Sequence, residues 1–198
     1  MPTPDWDARY AEHNTPWDTG HPDAHLVRLV EDGALPVGRA LEIGCGTGTN
    51  ALWLAANGYE VDAVDLSPLA VSSAREKSAI QPALPVRFAA LDFLTDPAPG
   101  GAYDFVFDRG CFHIFEDPAV RQRFAARVAL LLAPGGTWVS LIGSTEGPPR
   151  DVGPPRRSAR EVVGAIEPAL EVVSLTAVPF DTVYETAPAG WLCVARKR

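Results

Sequence analysis

Short apolar runs alternate with helical patterns along this chain, and the alternation predicts the order of its elements. The runs with the length and composition of strands are 40–43, 60–64, 86–91, 103–107 and 137–142. Helical patterns lie at 49–57, from 67 to about 80, and from 117 to just before 134. Because strands that alternate with helices form parallel sheets covered on both faces, the chain predicts a doubly wound α/β fold.

The C-terminal part adds two more strands, at 171–178 and 191–196. A further helix precedes them, opened by Ser158-Ala159-Arg160-Glu161, which matches a capping box. No helix separates the two strands, so we expect them to pair antiparallel. The predicted fold is therefore a Rossmann-like parallel sheet of about seven strands with a final antiparallel strand.

Residues at the helix ends support these boundaries. Ser67 and Asp117 are suited to N-caps, and each is followed by a proline, Pro68 or Pro118, at the first helical position. Gly58 can end the preceding helix in the left-handed conformation.

Composition narrows the class of protein. The 198 residues are 46% hydrophobic with a formal net charge of −8, which is enough apolar material for one full core. A pI of about 4.9 argues against nucleic acid as a partner. No apolar run approaches the ~20 residues of a membrane span, and acids replace the basic start of a signal peptide.

Three well-separated cysteines, Cys45, Cys111 and Cys193, form no CxxC pair. They predict reduced thiols in a cytoplasmic protein and no metal site. We expect one domain over 1–198, with a cap region at 1–36 and a Rossmann-like core at 37–198; the oligomeric state, monomer or dimer, stays open.

A glycine-rich turn links the first strand to the first core helix. Gly44, Gly46 and Gly48 let the backbone turn sharply and approach a ligand, and the helix start offers free N–H groups. The next strand ends at Asp65, about 20 residues on, where a carboxylate can bind both ribose hydroxyls of an adenosine. Thr49 replaces the third glycine of the dinucleotide fingerprint, and no Walker Gly-Lys follows.

These residues resemble the class I S-adenosylmethionine-dependent methyltransferases over roughly 17–143. The shared motifs are Glu42-x-Gly44-x-Gly46-x-Gly48, Asp65, Asp92 and Leu132-x-Pro134-Gly135-Gly136. The resemblance implies that the glycine loop holds the methionine part, Asp65 the ribose, and Asp92 with Phe93 the adenine. It implies that Asp108 faces the methyl group and the amino end. The implied cofactor set is Trp17, Glu42, Gly44, Gly46, Gly48, Asp65, Leu66, Asp92, Phe93 and Asp108.

Two further segments resemble the thiopurine, thiol/halide and tellurite-resistance methyltransferases. They are the leading Trp6-x-x-Arg9-Tyr10 with Pro16-Trp17-Asp18-Thr19-Gly20, and Asp108-Arg109-Gly110. The resemblance of the N-terminal segment implies a cap that closes over the cofactor. The resemblance of Asp108-Arg109-Gly110 implies that Arg109 lies beside the substrate. The chain departs from thiopurine methyltransferases in its complete glycine loop, in Cys111-Phe112-His113, and in the Pro/Arg-rich loop 143–157, a candidate lid.

The predicted function is methyl transfer from S-adenosylmethionine to a small molecule, a thiol or similar soft nucleophile, by in-line displacement. Such a reaction depends mainly on positioning and on exclusion of water. The candidate catalytic residues are Arg109, His113 and Asp108; a phenol or alcohol would need a base, for which His113 is the histidine near the fourth strand. The alternatives are a small-molecule O- or N-methyltransferase, a non-catalytic S-adenosylmethionine-binding protein, and a nicotinamide-dependent oxidoreductase, against which Thr49 argues.

Overall fold

A seven-stranded sheet carries the structure, a computed structural model that describes residues 5–150, 153–183 and 185–198. The strands are β1 (Arg39–Ile43), β2 (Glu60–Asp65), β3 (Val86–Ala90), β4 (Tyr103–Arg109), β5 (Leu132–Gly143), β6 (Glu171–Pro179) and β7 (Ala189–Arg196). The helices are α1 (Trp6–Ala11), α2 (Ala24–Glu31), α3 (Thr49–Ala56), α4 (Pro68–Ala79), α5 (Pro118–Leu131) and α6 (Ala159–Ile166). Residues 1–4 of the cap region, 151–152 of the candidate lid and residue 184 lie outside the described residues.

The strands lie in the order β3-β2-β1-β4-β5-β7-β6. Strands β1 to β5 are parallel, whereas β7 pairs antiparallel with both β5 and β6. The predicted fold class and the antiparallel pairing of the last two strands are confirmed. The strand order reverses between β1 and β4, which are neighbours, and ligands of open α/β sheets bind at such a switch point.

Helices cover both faces of the sheet because each face is apolar. On one face Phe124 of α5 and Ile166 of α6 are fully buried. On the other face Leu54 of α3 and Val71 of α4 are buried, together with Leu26 of α2. Each such side chain contributes roughly 1.5–3 kcal/mol by leaving water. Among the described helices none is long and apolar enough to cross a membrane.

The helix starts agree with the sequence prediction. The Ser67 hydroxyl accepts from Ala70 N–H at 3.1 Å, and the Asp117 carboxylate accepts from Ala119 N–H at 2.8 Å. Ser158 and Glu161 form the capping box reciprocally. These contacts satisfy N–H groups that have no partner within the helix.

Some elements differ from the prediction. Strand β5 starts at Leu132 rather than 137, because Leu132 pairs with Tyr103 and a register shift then absorbs the Pro-Gly-Gly segment. Strand β4 continues to Arg109, which pairs with Leu141. Helices α1 and α2 and the short 3₁₀ turn Phe112–Ile114 were not predicted, since the first two are short helices outside the core alternation.

Asp62 binds several side chains near the amino ends of the strands, away from the switch point. Its buried carboxylate accepts from Arg87 Nε at 2.8 Å, from the Tyr103 hydroxyl at 2.8 Å and from Arg39 at 3.3 Å. Burial alone would raise the pKa of Asp62, but the hydrogen bonds from Arg87 and Tyr103 outweigh it and lower that pKa.

We expect Asp62→Asn to lower the free energy of unfolding at neutral pH by about 1 to 3 kcal/mol, because buried donors lose a charged acceptor. A depressed folded-state pKa gives stability that is present above the unfolded value and is lost as pH falls. Urea unfolding of wild type should therefore show this loss in acid, and Asp62→Asn should show less of it. The control is Glu60→Gln, a half-exposed partner of Arg87, which should cost well under about 1 kcal/mol. Equal costs for the two variants would contradict the assignment.

Candidate active site

The glycine loop between β1 and α3 is fixed by its neighbour β2. The N–H groups of Gly44 and Cys45 both donate to the carbonyl of Val64, at 2.8 and 3.0 Å. Gly46 has φ of 54° and Gly48 has φ of 83°, backbone conformations that glycine adopts without strain. The loop therefore turns sharply at the carboxyl end of the sheet.

Side chains would not fit on this loop. A Cβ on Gly46 would lie 2.9 Å from the Tyr10 hydroxyl, and one on Gly48 would lie 2.9 Å from Ala74 and Phe88. The bare main chain thus permits close packing of the cap on one side and of α4 and β3 on the other. At Gly44 and Gly46 a ligand in the cleft meets bare main chain.

Asp65 connects the loop to the start of α4. One carboxylate oxygen accepts from Gly46 N–H at 2.8 Å and the other from Ser67 N–H at 2.9 Å. Burial raises the pKa of Asp65, and these backbone bonds oppose the rise. Leu66, the next residue, is 46% exposed. Asp65 is therefore both an organiser of the loop and the nearest carboxylate to it along β2.

Glu42 is a buried carboxylate at the end of β1. Its Oε1 accepts from Asn50 Nδ2 at 3.0 Å, whereas Oε2 has no hydrogen-bond partner among the residues that the structure describes. Burial raises the pKa of Glu42 to about 8. An unpartnered carboxylate oxygen beside a bare glycine loop fits a cationic group such as the ammonium of an amino acid.

The N-terminal segment forms a roof over the loop. Trp17 Nε1 donates to the Tyr10 hydroxyl at 3.2 Å, and the Arg9 guanidinium lies 4.5 Å from the Trp17 ring centre. Burial raises the pKa of Tyr10. The cleft between roof and loop has a volume of about 50 Å³. It is lined by Tyr10, Trp17, Asp18, Thr19, His21, Glu42, Gly44, Cys45, Gly46, Thr47, Thr49, Asn50 and Arg109.

Arg109 binds three residues of two separate segments at one side of this cleft. Its Nε donates to Asp23 at 2.8 Å, another nitrogen donates to the Trp17 carbonyl at 2.9 Å, and a third donates to the Asp181 carbonyl. The guanidinium also lies 5.1 Å from the centre of the Phe180 ring. Arg109, predicted to contact the substrate, lines the cleft. Its hydrogen bonds, however, connect the roof to the β6–β7 connection.

Asp108 is fully buried. Its carboxylate accepts from Trp138 Nε1 at 3.0 Å and from the N–H groups of Cys111 and Phe112 at 3.1 and 2.9 Å. Burial raises the pKa of Asp108 to about 6, against the effect of these donors. The structure therefore does not bring this carboxylate into the cleft; it shapes the turn that follows β4.

His113 is also buried, and its Nδ1 accepts from Gly143 N–H at 2.8 Å. Burial, followed by the positive charges of Arg157, Arg150 and Arg109, lowers the pKa of His113 to about 3. The ring is therefore neutral at physiological pH, with its lone pair already engaged. This geometry does not favour the predicted role of His113 as a base.

The segment after β3 lies beside Asp65, because Leu91 N–H donates to the Asp65 carbonyl at 2.9 Å. The Asp92 carboxylate accepts from the N–H two residues on, at 2.8 Å. Phe93 is buried and packs on Phe124, with ring centres 4.8 Å apart. Core residues thus cover much of the ring expected beside an adenine, and the adenine contacts of Asp92 and Phe93 stay predictions.

The structure adds residues that the sequence analysis did not single out. Asn50 bridges Glu42 to the roof, because its Oδ1 accepts from Asp23 N–H at 2.9 Å. Asp23 caps α2 and holds Arg109, and His21 lines the cleft 3.7 Å from Asp181. An N-cap pattern before α2 could have indicated Asp23. Asn50, His21 and Asp181 are revealed only by their long-range contacts.

Comparison with known proteins assigns the family. The sequence model of thiopurine S-methyltransferase (TPMT) matches residues 1–184. The chain belongs to this family of S-adenosylmethionine-dependent methyltransferases. The predictions of a methyltransferase, of S-adenosylmethionine as its cofactor and of a small-molecule acceptor are thereby confirmed at the level of the family.

Two curated relatives are similar over most of the chain. Probable thiol methyltransferase 2 of Arabidopsis thaliana is 38% identical over 152 residues, which are 74% of this chain and 66% of the relative. Thiocyanate methyltransferase 1 of Brassica oleracea is 32% identical over 177 residues, which are 89% of this chain and 75% of the relative.

Two solved structures share the fold. One, from work on the conversion of a disulfide bond into a thioacetal group during echinomycin biosynthesis, has a TM-score of 0.83 and 28% identity, with 97% of this chain and 90% of that one covered. The other is the 1,6-didemethyltoxoflavin-N1-methyltransferase of Burkholderia thailandensis with bound S-adenosylhomocysteine. Its TM-score is 0.77 at 22% identity, with 98% of this chain and 85% of that one covered.

Glu42 gives a pH-dependent prediction. The pKa of Glu42 is raised in the folded state. Its contribution to the free energy of unfolding is therefore fully present below about pH 4.5 and is lost as the pH rises through about 8. Glu42→Gln cannot ionise, so its melting temperature should exceed that of ligand-free wild type above pH 8 and should not at pH 4. Thermal melts across this range test it, with the exposed Glu31→Gln as control. An identical pH dependence in Glu42→Gln and wild type would contradict the assignment.

Arg109 gives a prediction about local stability. Lysine keeps the charge near Asp23 but cannot reach the carbonyls of Trp17 and Asp181 at the same time. Arg109→Lys should therefore raise amide hydrogen exchange about tenfold in 17–23 and 180–183, with the sheet unchanged. Arg28→Lys, at an exposed pair with Asp32 on α2, is the matched control. Unchanged exchange in both segments would show that Arg109 does not hold the roof.

Proposed function

We propose that this enzyme methylates a small thiol or similar soft nucleophile, taking the methyl group from S-adenosylmethionine by direct displacement. The observation that carries the proposal is the bare glycine loop, with Glu42 and Asp65 below it and the aromatic roof above. Two relatives whose names specify thiol and thiocyanate support a sulfur acceptor.

The cofactor contacts follow from the groups that the cleft presents. Glu42 would offer its unpartnered Oε2 to the amino group, and the main chain of 44–48 would follow the methionine part. Asp65 would turn its carboxylate toward the ribose, with Leu66 beside it. Trp17 would cover the bound molecule, and Asp92 and Phe93 would lie at its adenine end.

We expect the roof to move when the cofactor binds. The cleft volume of about 50 Å³ is smaller than the several hundred Å³ that ligands of this size occupy. Tyr10 and Trp17 line the cleft and are hydrogen-bonded to each other, and Arg109 donates to the Trp17 carbonyl. We therefore expect cofactor binding to displace the roof, which then closes and excludes water.

The bound cofactor supplies an activated methyl group with a neutral thioether as leaving group. The protein's share is to align the acceptor and to keep water out, which can supply most of the rate enhancement. Asp108 fixes the turn after β4, and Arg109 fixes the roof and the β6–β7 connection. In this proposal Asp108, Arg109 and His113 act by positioning.

The proposal extends to the whole chain and its setting. Residues 1–198 would act as one domain in which the cap region, 1–36, closes on the core, 37–198, as the bonds from Arg109 to Trp17 and Asp23 suggest. A cytoplasmic location is proposed because Cys45, Cys111 and Cys193 are free thiols. The acidic charge of −8 argues against nucleic-acid partners.

Labelled methyl transfer to a panel of thiols, phenols and amines tests the proposal. We expect transfer to thiols, with S-adenosylhomocysteine as the co-product. Transfer confined to phenols or amines would establish an O- or N-methyltransferase instead, and binding without any transfer would establish a non-catalytic protein.

Calorimetry tests the cofactor contacts separately. Asp65→Asn should weaken S-adenosylhomocysteine binding about tenfold to hundredfold, because the ribose loses its charged acceptor and the loop loses an anchor. Glu42→Gln should weaken it by a similar factor. Asp104→Asn, at the opposite end of the sheet, is the control. Unchanged affinity in both site variants would remove these residues from the cofactor site.

A further inference from the structure

We propose that His21 is the general base that takes the proton from the molecule being methylated, with Asp181 as the residue that orients the imidazole. The inference rests on the proposed methyl transfer and deepens it, because it names the group that activates a protonated acceptor. His21 lines the same cleft as Glu42, the glycine loop and Arg109. Its Nδ1 lies 3.7 Å from Oδ2 of Asp181, which belongs to the β6–β7 connection.

The neighbours of Nδ1 decide which nitrogen of His21 carries the proton. Besides the Asp181 carboxylate, the Pro22 carbonyl lies 3.3 Å from Nδ1. Both neighbours can only accept hydrogen bonds, so they favour the tautomer with hydrogen on Nδ1. The lone pair is then on Nε2, which is the arrangement that a general base requires.

Arg109 makes this pair possible. It holds Trp17 and Asp23, on either side of His21 in sequence, and it holds the main-chain carbonyl of Asp181. The segment with the imidazole and the segment with the carboxylate are therefore fixed to the same guanidinium. Arg109 is therefore a positioning residue: it keeps the His21 imidazole beside the Asp181 carboxylate.

Exposure also suits His21 to this role and separates it from His113. The His21 side chain is 60% exposed, so a proton taken from the acceptor can pass to water after each turnover. His113, by contrast, is buried with its Nδ1 lone pair engaged.

The proton balance of the step is simple. The new bond forms between the acceptor atom and the methyl carbon while the bond from that carbon to the sulfonium sulfur breaks. The electron pair of the broken bond stays on the departing sulfur, and the acceptor's proton moves to His21 Nε2. The resulting imidazolium is stabilised by Asp181.

Other ionisable side chains line the same cleft: Asp18, Glu42 and Arg109, of which Arg109 is paired with Asp23. Asp181 has the shortest contact to the ring among the charged side chains described.

Acceptors that differ only in whether they carry a proton test the inference. Propanethiol must lose a proton, whereas thioacetate and thiocyanate are already anions at neutral pH. His21→Gln should lower kcat/KM for propanethiol about hundredfold and leave the two anions unchanged, because only the first needs a base.

Further variants separate chemistry from structure. Asp181→Asn keeps the main-chain carbonyl for Arg109 and should lower the propanethiol rate by a smaller factor. His25→Gln, in the same region but bound to the Pro179 carbonyl, should leave the acceptor pattern unchanged. Calorimetry with S-adenosylhomocysteine and thermal melts establish that His21→Gln is folded and binds.

The outcomes are distinct. An equal fall for all three acceptors in His21→Gln would overturn the role of His21 as a base and leave methyl transfer intact. A wild-type enzyme that methylates none of the acceptors, thiols and anions alike, would overturn the proposed function itself.

Discussion

The hydrogen bonds that fix the glycine loop to strand β2 are the interaction on which the site depends. The Val64 carbonyl accepts from Gly44 and Cys45, and the Asp65 carboxylate accepts from Gly46 and Ser67. These bonds exist because β1 and β2 are parallel neighbours that end at the same level. The loop is thereby held open at the switch point, where its peptide groups can face a ligand.

The carboxylates near this loop differ in their hydrogen bonds. Asp108 accepts from three donors, and Asp65 accepts one main-chain N–H on each oxygen. Glu42 keeps one oxygen without a partner among the residues that the structure describes. An unpaired buried carboxylate costs stability in the ligand-free state. A cationic ligand at Glu42 would remove this destabilisation. We therefore interpret it as favouring cofactor binding.

A second level of organisation comes from Arg109. It lies at the end of β4, yet its partners belong to the N-terminal roof and to the β6–β7 connection, far apart in sequence. One guanidinium can do this because its fork offers several donors in fixed directions. The proposed acceptor side, with His21 and Asp181, is therefore assembled from both ends of the chain around one residue of the core.

The sequence by itself determined the alternation of strands and helices, the caps at Ser67, Asp117 and Ser158, and the glycine loop with Asp65. These features are local: each depends on periodicity, turn chemistry or spacing within one βαβ unit. Tertiary structure alone decided that Asp108 and His113 are buried and hydrogen-bonded, and that Arg109 binds the roof. It also brought Asn50 and His21 to the cleft, and Asp181 next to His21. Side-chain burial and pairing between residues far apart in the sequence depend on how the elements pack, and no local pattern encodes that.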